Sequence, residues 1–570
     1  MNLLRRYMLV VLFLWVSSPT LALDMAVDTV NAEFMWQQGY TGVGVEIGII
    51  DLHQADSGHP ALSSSNFLGG VNFINGAGWL GSHATAVAGA AVSQDATRRG
   101  VANGAGWWTG QTTNRVGISP QQEAMTVSAE TFAQGLGILN GNPAEVITMS
   151  IGVNGSDTAT DQWSLALDHI VSTLGTTVVV AAGNSGPTSS SFPGPPGTAF
   201  NILSVGATGG SGPLVSEDYS QIAPYSSRGP TTDGRSKPDL VAPGSLLELP
   251  TLSNGWAVGS GTSFAAPLVA GGAALLVDMG FDRGLDVDAK VIKSVLMNSA
   301  DKLAGWSQSP TAPLDPDFGA GQMNLESAFF QYDAGEQEAG IVDPIGWDHG
   351  SIQGTMGNIY EIGVNVPVGV DLAATLVWNR DVTTDTEDIE SSVYTAAPLE
   401  NLDLFLFEMS DLVNPVASSM STVDNVEHLF LSVPTSGQYL LEVRSASGVI
   451  ADPLAYSLAW NVDVPLVFAG ADFDEDGDVD EMDLVLWEAG FGLNESAGHM
   501  DGDADEDMDV DGVDFLKWQL QFTGSLNPLA ATTAVPEPMT FALVLFGGWC
   551  LLAGRQSRQG ARLLRLVPMC

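Results

Sequence analysis

The stretch that decides the fold is residues 259–276, which read GSGTSFAAPLVAGGAALL. Behind Ser263 the apolar residues recur at helical spacing, and the small residues among them favour close packing. The glycine-rich turn in front of this helix offers backbone N–H groups, which together with the helix dipole stabilise a negatively charged oxygen. The stretch therefore predicts a buried helix that presents Ser263 at its amino end.

Strand-like and helix-like patterns alternate on both sides of this helix, from about residue 24 to residue 325. Residues 42–51 (GVGVEIGIID) and 175–184 (GTTVVVAAGN) are β-branched runs that end in a polar residue, as buried parallel strands do. Residues 164–174 have helical apolar spacing. This alternation predicts an α/β fold with a doubly wound parallel sheet, whose sites lie at the carboxyl ends of the strands.

Four polar residues of this region are the parts that a serine hydrolase requires. Asp51 ends a strand, and His83 stands where a helix of small residues begins. Asn184 ends another strand, and Ser263 precedes the long helix. Taken singly, each has an ordinary structural explanation, such as a turn residue, a core histidine or a helix cap. Because the four residues occur together, in the chain order Asp, His, Asn, Ser, we favour the interpretation that they form a catalytic site.

At these residues the chain resembles the subtilisin-like serine proteases. The resemblance covers about residues 30–330 and rests on GYTGVGVEIGIID, SHATAVAG, VITMSIG, VVVAAGNSGP, LSVGAT, YSSRGP, DGRSKPDLVAPG and GSGTSFAAPLVAGGAALL. It implies a catalytic domain over residues 24–330 that hydrolyses protein or peptide substrates without a cofactor. By the same resemblance Ser263 attacks the peptide carbonyl, His83 transfers the proton, Asp51 orients His83, and Asn184 stabilises the oxyanion. The resemblance also implies a substrate cleft formed by Ser150, Ile151, Gly152, Ala182 and Gly183.

The chain departs from the family pattern at three residues beside the expected site. Leu52 and His53 follow Asp51, where the family usually has Ser or Thr and then Gly. Ala84 follows His83, where the family usually has Gly. None of these residues replaces a catalytic group, and alanine favours a helix. We therefore expect the departures to change the wall of the site and to leave its chemistry intact.

Residues 335–465 have a different pattern of apolar and polar residues. Short alternating runs such as YEIGVNVPV (360–368), LDLFLFEM (402–409) and AYSLAWNV (455–462) are separated by turn-forming residues. This pattern predicts an antiparallel β-sandwich domain.

The whole chain has 66 acidic and 19 basic residues, which gives a formal net charge of −47. Such a charge repels phosphate backbones, so we expect no nucleic-acid partner.

Two acidic repeats at residues 468–526 have the spacing of twelve-residue calcium loops. The expected ligands of the first loop are Asp472, Asp474, Asp476, Asp478, Asp480 and Asp483, and those of the second are Asp503, Asp505, Asp507, Asp509, Asp511 and Asp514. Gly477 occupies the turn position of the first loop, and Met508 replaces it in the second. The repeats resemble a dockerin module, which implies a small α-helical fold around two structural Ca²⁺ ions and a cohesin-like partner. An acidic solvated linker is the alternative.

The two ends of the chain have the features of targeting segments. Residues 1–22 have arginines, an apolar run and then small residues, which predicts a secretory signal cleaved after Ala22. Residues 527–534 form a linker. Residues 535–558 begin with Val535-Pro536-Glu537-Pro538 and resemble a PEP-type C-terminal sorting signal with a transmembrane segment, and residues 559–570 form a basic cytoplasmic tail. A plain membrane anchor is the alternative.

Together these features predict a secreted serine endopeptidase that is directed to a bacterial cell surface or extracellular matrix, with a transient C-terminal membrane anchor. Two other interpretations stay open at this stage. The first is a non-catalytic relative that binds peptide or matrix components through the same fold. The second is a mainly structural surface protein that the calcium module organises.

Overall fold

The structure is a computed structural model that describes most of residues 22–522. The described range has gaps at residues 63–65, 74–77, 113–128, 130, 132, 135–142, 153–157, 188–192, 211–217, 356, 386–391, 447, 464–470, 472, 474–478, 480, 494–496 and 505–507. The chain divides into two compact units, Met1–Pro465 and Leu466–Cys570. The predicted signal and the predicted C-terminal sorting signal lie outside the described residues.

A seven-stranded sheet forms the centre of the first unit. The strands up to residue 259 are β1 Glu46–Asp51, β2 Phe67–Asn72, β3 Gln94–Asp95, β4 Arg98–Arg99, β5 Gly106–Gln111, β6 Val146–Met149, β7 Thr177–Ala181, β8 Leu203–Thr208, β9 Leu240–Pro243, β10 Leu247–Thr251 and β11 Gly255–Gly259. The sheet has the order β2-β5-β1-β6-β7-β8-β9, and all its strand pairs are parallel. This sheet confirms the α/β prediction.

Helices pack around this sheet and cover its strands. They are α1 Ala22–Thr29, α2 Ala32–Gln37, α3 Ser82–Val92, α4 Gln162–His169, α5 Thr262–Arg283, α6 Ala289–Asn298 and α7 Leu325–Asp333. Close packing requires small residues in α5. For example, a Cβ atom at Gly271 would lie 2.6 Å from Cβ of Val101. By length and composition α5 is apolar enough to cross a membrane, but 89% of its apolar window is buried. It is therefore a core helix.

Antiparallel sheets follow the parallel sheet in the same unit. Their strands are β12 Gly340–Val342, β13 Ile345–Asp348, β14 Ser351–Gly354, β15 Asn358–Ile362, β16 Asp371–Trp378, β17 Val382–Thr384, β18 Tyr394–Ala396, β19 Leu402–Glu408, β20 Ala417–Ser419, β21 Val426–Ser432, β22 Tyr439–Ser445 and β23 Ile450–Val462. Two larger sheets have the orders β12-β15-β22-β19-β20 and β13-β23-β16-β21. The β12–β15 pair is parallel, which is possible because β13 and β14 lie between them in the chain and no tight hairpin joins them.

The parallel region and the antiparallel region share a hydrophobic core. Trp347, Val377, Val426 and Ala459 of the antiparallel region belong to the same buried cluster as α5 and the parallel sheet. Helix α6 packs against β16 and β23, and all ten of its residues are buried. The two regions therefore form one compact unit.

In the second unit, two helices pack together through aromatic residues. They are α8 Glu481–Gly490 and α9 Gly512–Gln521. The ring of Phe515 lies 4.7 Å from that of Trp487 and 5.7 Å from that of Trp518, measured between centroids. Trp487 and Trp518, which occupy equivalent positions after the two acidic repeats, thus belong to one small core.

Candidate active site

The four residues expected to be catalytic lie at one edge of the parallel sheet. Asp51 is the last residue of β1, and Asn184 follows β7 by three positions. His83 is the second residue of α3, and Ser263 is the second residue of α5. The carboxyl ends of β1 and β7 open onto the same crevice, and the amino ends of the two helices face it. All four residues line one pocket.

A hydrogen bond of 2.7 Å joins His83 Nδ1 to Asp51 Oδ2. The Asp51 carboxylate is fixed in turn, because Oδ1 accepts a hydrogen bond from the backbone N–H of Leu52. The Asp51 side chain is 2% exposed, whereas the His83 side chain is 45% exposed. Burial lowers the pKa of His83, but the hydrogen bond and the charge of Asp51 outweigh it, so that the pKa is raised overall. The pair thus has an ordered imidazole that accepts protons more readily than a free one.

Ser263 lies at the positive end of the 22-residue helix α5. Its backbone carbonyl accepts a hydrogen bond of 2.7 Å from the Ser150 hydroxyl, which connects the backbone of the expected nucleophile to the expected substrate cleft. The side chains of His83 and Ser263 share the pocket, but no hydrogen bond joins them within the described part of the chain. Catalytic hydrogen bonds are commonly long in ligand-free enzymes and shorten when substrate binds.

Thr262 fixes the Asn184 side chain. Asn184 Oδ1 accepts hydrogen bonds from the backbone N–H of Thr262 at 2.9 Å and from its hydroxyl at 3.1 Å. The amide nitrogen is therefore the group that Asn184 offers to the pocket. The preceding residue, Gly183, has a φ of +108°, and a Cβ atom there would lie 2.9 Å from Oγ of Ser227. A left-handed backbone and a close neighbour together require glycine at this position.

The pocket has a volume of about 510 Å³. Every residue expected in the substrate cleft lines it: Ser150, Ile151, Gly152, Ala182 and Gly183. Leu52 and His53 also line it, as the departures from the family pattern led us to expect, whereas Ala84 is fully buried behind it. Sequence reasoning missed Ala181, Gly194, Ser227 and Thr262 as pocket residues. Ser227 and Thr262 lie inside motifs that the sequence analysis quoted, but Gly194 has no comparable signal.

The structure describes only some of the expected calcium ligands of the second unit. Asp472, Asp474, Asp476, Asp478, Asp480, Asp505 and Asp507 lie outside the described residues. The carboxylates of Asp509, Asp511 and Asp514 lie within 4.8 Å of one another. Asp503 is buried, and within the described residues its Oδ1 atom has no hydrogen-bond partner.

The two acidic repeats also have one hydrogen bond in common. Asp483 accepts a bond from the backbone N–H of Phe473 at 2.6 Å, and Asp514 accepts one from Ala504 at 2.7 Å. Each bond joins the twelfth position of a repeat to its second position. The repeats thus have the same local connection, although only part of each loop is described.

The pocket at the sheet edge has the arrangement of a serine hydrolase. It combines a nucleophilic hydroxyl at a helix amino end, an imidazole that a buried carboxylate orients, and an amide that can bind an oxyanion. In chain order the three core groups run Asp, His, Ser, the subtilisin order.

Comparison with known proteins agrees with this class. Residues 42–321 match the model of the Subtilase family. The chain is 32% identical to pyrolysin of Pyrococcus furiosus over 253 residues, which are 39% of this chain and 18% of pyrolysin. It is 33% identical to serine protease AprX of Bacillus subtilis over 204 residues, which are 33% of this chain and 43% of AprX.

The match to a third relative covers almost the whole length of that relative. The chain is 29% identical to subtilisin DY of Bacillus licheniformis over 315 residues, which are 53% of this chain and 97% of subtilisin DY. The chain thus spans less than half the length of pyrolysin and AprX. The antiparallel sheets and the second unit lie beyond the family match.

Proposed function

We propose that this protein is a serine endopeptidase that hydrolyses peptide bonds of protein or peptide substrates through an acyl-enzyme. The observation that carries the proposal is the 2.7 Å contact between His83 and Asp51 in a pocket that Ser263 also lines. The subtilase-family match over the same residues supports it. The complete set of catalytic groups gives no support to the alternative of a binding protein without activity.

In the proposed mechanism the Ser263 hydroxyl attacks the substrate carbonyl carbon, and His83 takes its proton. Asp51 holds Nδ1 of the imidazole, so Nε2 is the atom that accepts the proton. The amide of Asn184 and the backbone N–H of Ser263 stabilise the oxyanion of the tetrahedral intermediate. His83 then gives the proton to the leaving amine, which leaves an ester on Ser263. Water, with His83 again as base, hydrolyses the ester and restores the serine.

A fluorophosphonate probe tests this proposal, because it reacts only with an activated serine. The wild-type chain should be labelled, and Ser263→Ala should abolish both labelling and peptide cleavage. Ser260 provides a matched control three residues away, where the side chain bonds the backbone N–H of Leu246. Ser260→Ala should be labelled like wild type. A folded wild-type chain that the probe leaves unmodified would overturn the proposal.

We also propose that the second unit binds structural Ca²⁺, without a part in catalysis. The buried Oδ1 of Asp503 has no hydrogen-bond partner among the residues that the structure describes, and the carboxylates of Asp509, Asp511 and Asp514 lie close together. Both features suit a cation that binds oxygen ligands. Asp503, Asp511 and Asp514 would hold the ion of the second loop, and the bound charge would offset the repulsion among the carboxylates. The cohesin-like partner stays part of this proposal, as the resemblance to dockerin modules implies.

The two loops should differ in affinity, with the first loop tighter. Met508 has a φ of +73°, a left-handed backbone that costs a non-glycine residue about 1 kcal/mol, and Gly477 replaces it in the first loop. Calorimetry should therefore resolve two sites, and Met508→Gly should tighten the weaker one about fivefold. Asp514→Ala should remove that site. Equal affinities in the wild-type chain, or no calcium uptake, would contradict this proposal.

We further propose that the protein is exported and directed to the bacterial cell surface or matrix. The support is sequence alone: the signal pattern of residues 1–22 and the PEP-type segment of residues 535–558. Mass spectrometry of the cell envelope should find the chain without peptides beyond Arg555. If such peptides persist in the surface fraction, the segment is a simple anchor.

A further inference from the structure

One arginine of the antiparallel region enters the parallel region behind the pocket. Arg380 follows β16 by two positions, and its side chain is 6% exposed. Its guanidinium forms a salt bridge with Asp168 of α4, which is fully buried, and the Nε–Oδ2 distance is 3.1 Å. This pair alone would be enough to fasten the two regions together. Two further sets of contacts connect Arg380 to the chain segments that form the pocket walls.

The first segment contains Ala159, seven positions after the wall residue Gly152, and residues 153–157 between the two lie outside the described part of the chain. The carbonyl of Ala159 accepts a hydrogen bond of 2.8 Å from Arg380 Nη2. Ala159 is fully buried and has a φ of +53°. Such a backbone is unfavourable for alanine and persists only where surrounding contacts hold it. The bond from Arg380 is one of these contacts.

The second segment continues from Gly194, which also lines the pocket. Six positions later, the Phe200 ring lies 4.0 Å from the guanidinium carbon of Arg380 and 3.9 Å from that of Arg235. The adjacent Asn201 accepts a hydrogen bond of 2.8 Å from the backbone N–H of Arg380 and donates one of 2.9 Å to its carbonyl oxygen. Arg380 thus fixes this segment through both its side chain and its backbone.

The two segments also approach each other at the pocket. A Cβ atom at Gly152 would lie 3.4 Å from the carbonyl oxygen of Pro195, so the two walls lie close together there. A shift of the segment from Gly194 to Asn201, which the structure describes without a break, would therefore change the width of the pocket. Binding sites are sensitive to such shifts, because a misplacement of about 1 Å can cost about 10²-fold in rate.

We propose that Arg380 is a positioning residue for the pocket, through which the antiparallel region helps to select the side chain that the pocket accepts. This inference rests on the proposed peptidase function. The residue touches neither the substrate nor the reacting atoms. Its effect is on the spacing of the two walls, so it should alter substrate binding and selectivity more than the chemistry at Ser263.

The test compares the wild-type chain with the double variant Arg380→Gln/Asp168→Asn, which removes both buried charges together. The substrates are tetrapeptide p-nitroanilides that differ only in the residue before the scissile bond. We expect KM to rise about tenfold for the preferred substrate, and the ratio of kcat/KM between large and small side chains to change at least fivefold. Labelling of Ser263 by a small fluorophosphonate should stay within about threefold of wild type, because the triad is untouched.

Thr375→Val is the matched control. Thr375 also bonds across the two regions, to Asn298 of α6 at 3.0 Å, but neither partner lines the pocket. This variant should keep the wild-type KM and selectivity. If the double variant does not fold, Arg380→Lys replaces it, since lysine keeps the charge but lacks the planar group that stacks on Phe200.

The outcomes separate the two proposals. A wild-type chain that the probe does not label overturns the peptidase function. A labelled wild type whose Arg380 variants keep both KM and the selectivity ratio overturns only the role of Arg380. Equal changes in Thr375→Val would also overturn it, because any weakening of the contact between the regions would then have the same effect.

Discussion

Polar residues are concentrated in two places: the carboxyl edge of the parallel sheet, and the contact between the parallel and antiparallel regions. The polar side chains have different roles in the two places. At the edge, the His83 side chain is 45% exposed and faces the pocket. At the contact, Asp168 and Arg380 are 0% and 6% exposed. Asn201 and Asn425 are buried beside them, and Asn425 donates to the backbone carbonyl of Trp378 at 2.7 Å.

This difference indicates what each set of residues contributes. A pocket residue such as Asn184 uses one atom to hold its position and offers another to a ligand. A contact residue such as Asp168 uses both carboxylate oxygens within the protein. Substitutions at the edge should therefore change activity at nearly constant stability, and substitutions at the contact should change stability first.

The largest effect is expected for His83→Ala. Loss of the proposed general base should reduce kcat by about 10⁴–10⁶, because His83 is the imidazole that Asp51 holds in the pocket. The free energy of unfolding should change by less than about 1 kcal/mol, since the side chain is half exposed. Steady-state kinetics and denaturant unfolding measure the two quantities. A large loss of stability together with residual activity would contradict the distinction between the edge of the sheet and the contact.

Asp168→Asn should have the largest effect on stability. It leaves the buried Arg380 without its counter-ion, and breaking a buried pair in this way costs about 3–5 kcal/mol. Glu33→Gln is a matched control, because Glu33 pairs with Arg99 at 3.0 Å on the surface, where a pair contributes about 0–1 kcal/mol. Equal destabilisation in the two variants would show that burial does not distinguish these pairs.

The sequence predicted the edge of the sheet far better than the contact between regions. Asp51, His83 and Ser263 each lie in a local motif, and parallel strands bring their carboxyl ends to one edge, so the expected residues could be named before the structure. Arg380 has no motif, and its partner Asp168 is 212 positions away. A pair of ordinary residues at such a separation has no signal in one sequence.

The parallel β12–β15 pair shows a similar limit, because alternation predicts strands without their direction. The antiparallel sheets themselves were predicted from that alternation and are present. The calcium loops stay a prediction. Their spacing is specific, but most of the first loop lies outside the described residues.

Asn184→Ala should have an intermediate effect on activity. The loss of one oxyanion donor typically reduces kcat by about 10²–10³, while KM changes little. Thr262→Val is the matched control, since it removes one of the two hydrogen bonds to Asn184 Oδ1 and keeps the amide. It should cost less than about tenfold. If both variants lose the same activity, Asn184 acts through its position and not through its amide.

The pH dependence should follow the raised pKa of His83. The neutral imidazole is the active form, so a raised pKa moves the acidic limb of kcat/KM to higher pH, with about a tenfold loss per pH unit below the midpoint. Asp51 causes the rise, and burial opposes it. In the Ser263→Ala background, NMR titration should therefore show a lower His83 pKa after Asp51→Asn. An unchanged or higher value would contradict this account.

The smallest effect is expected for Ala84→Gly, which restores the residue that the family usually has. Ala84 is fully buried in the first turn of α3 and is not among the residues that line the pocket. The rate should change by less than about tenfold. Stability should fall by about 0.5–1 kcal/mol, because glycine is a poorer helix former. A much larger gain in activity would mean that the methyl group restrains His83.

The complete burial of α6 has a consequence for how the chain can be shortened. The family match ends at residue 321, but a fragment cut after α7, at Asp333, would remove β16 and β23, the strands that cover one side of α6. An apolar surface that was interior in the intact chain would then meet water, and exposed patches of this kind promote aggregation. The smallest soluble fragment with the pocket should therefore extend to about Val462, the last residue of β23.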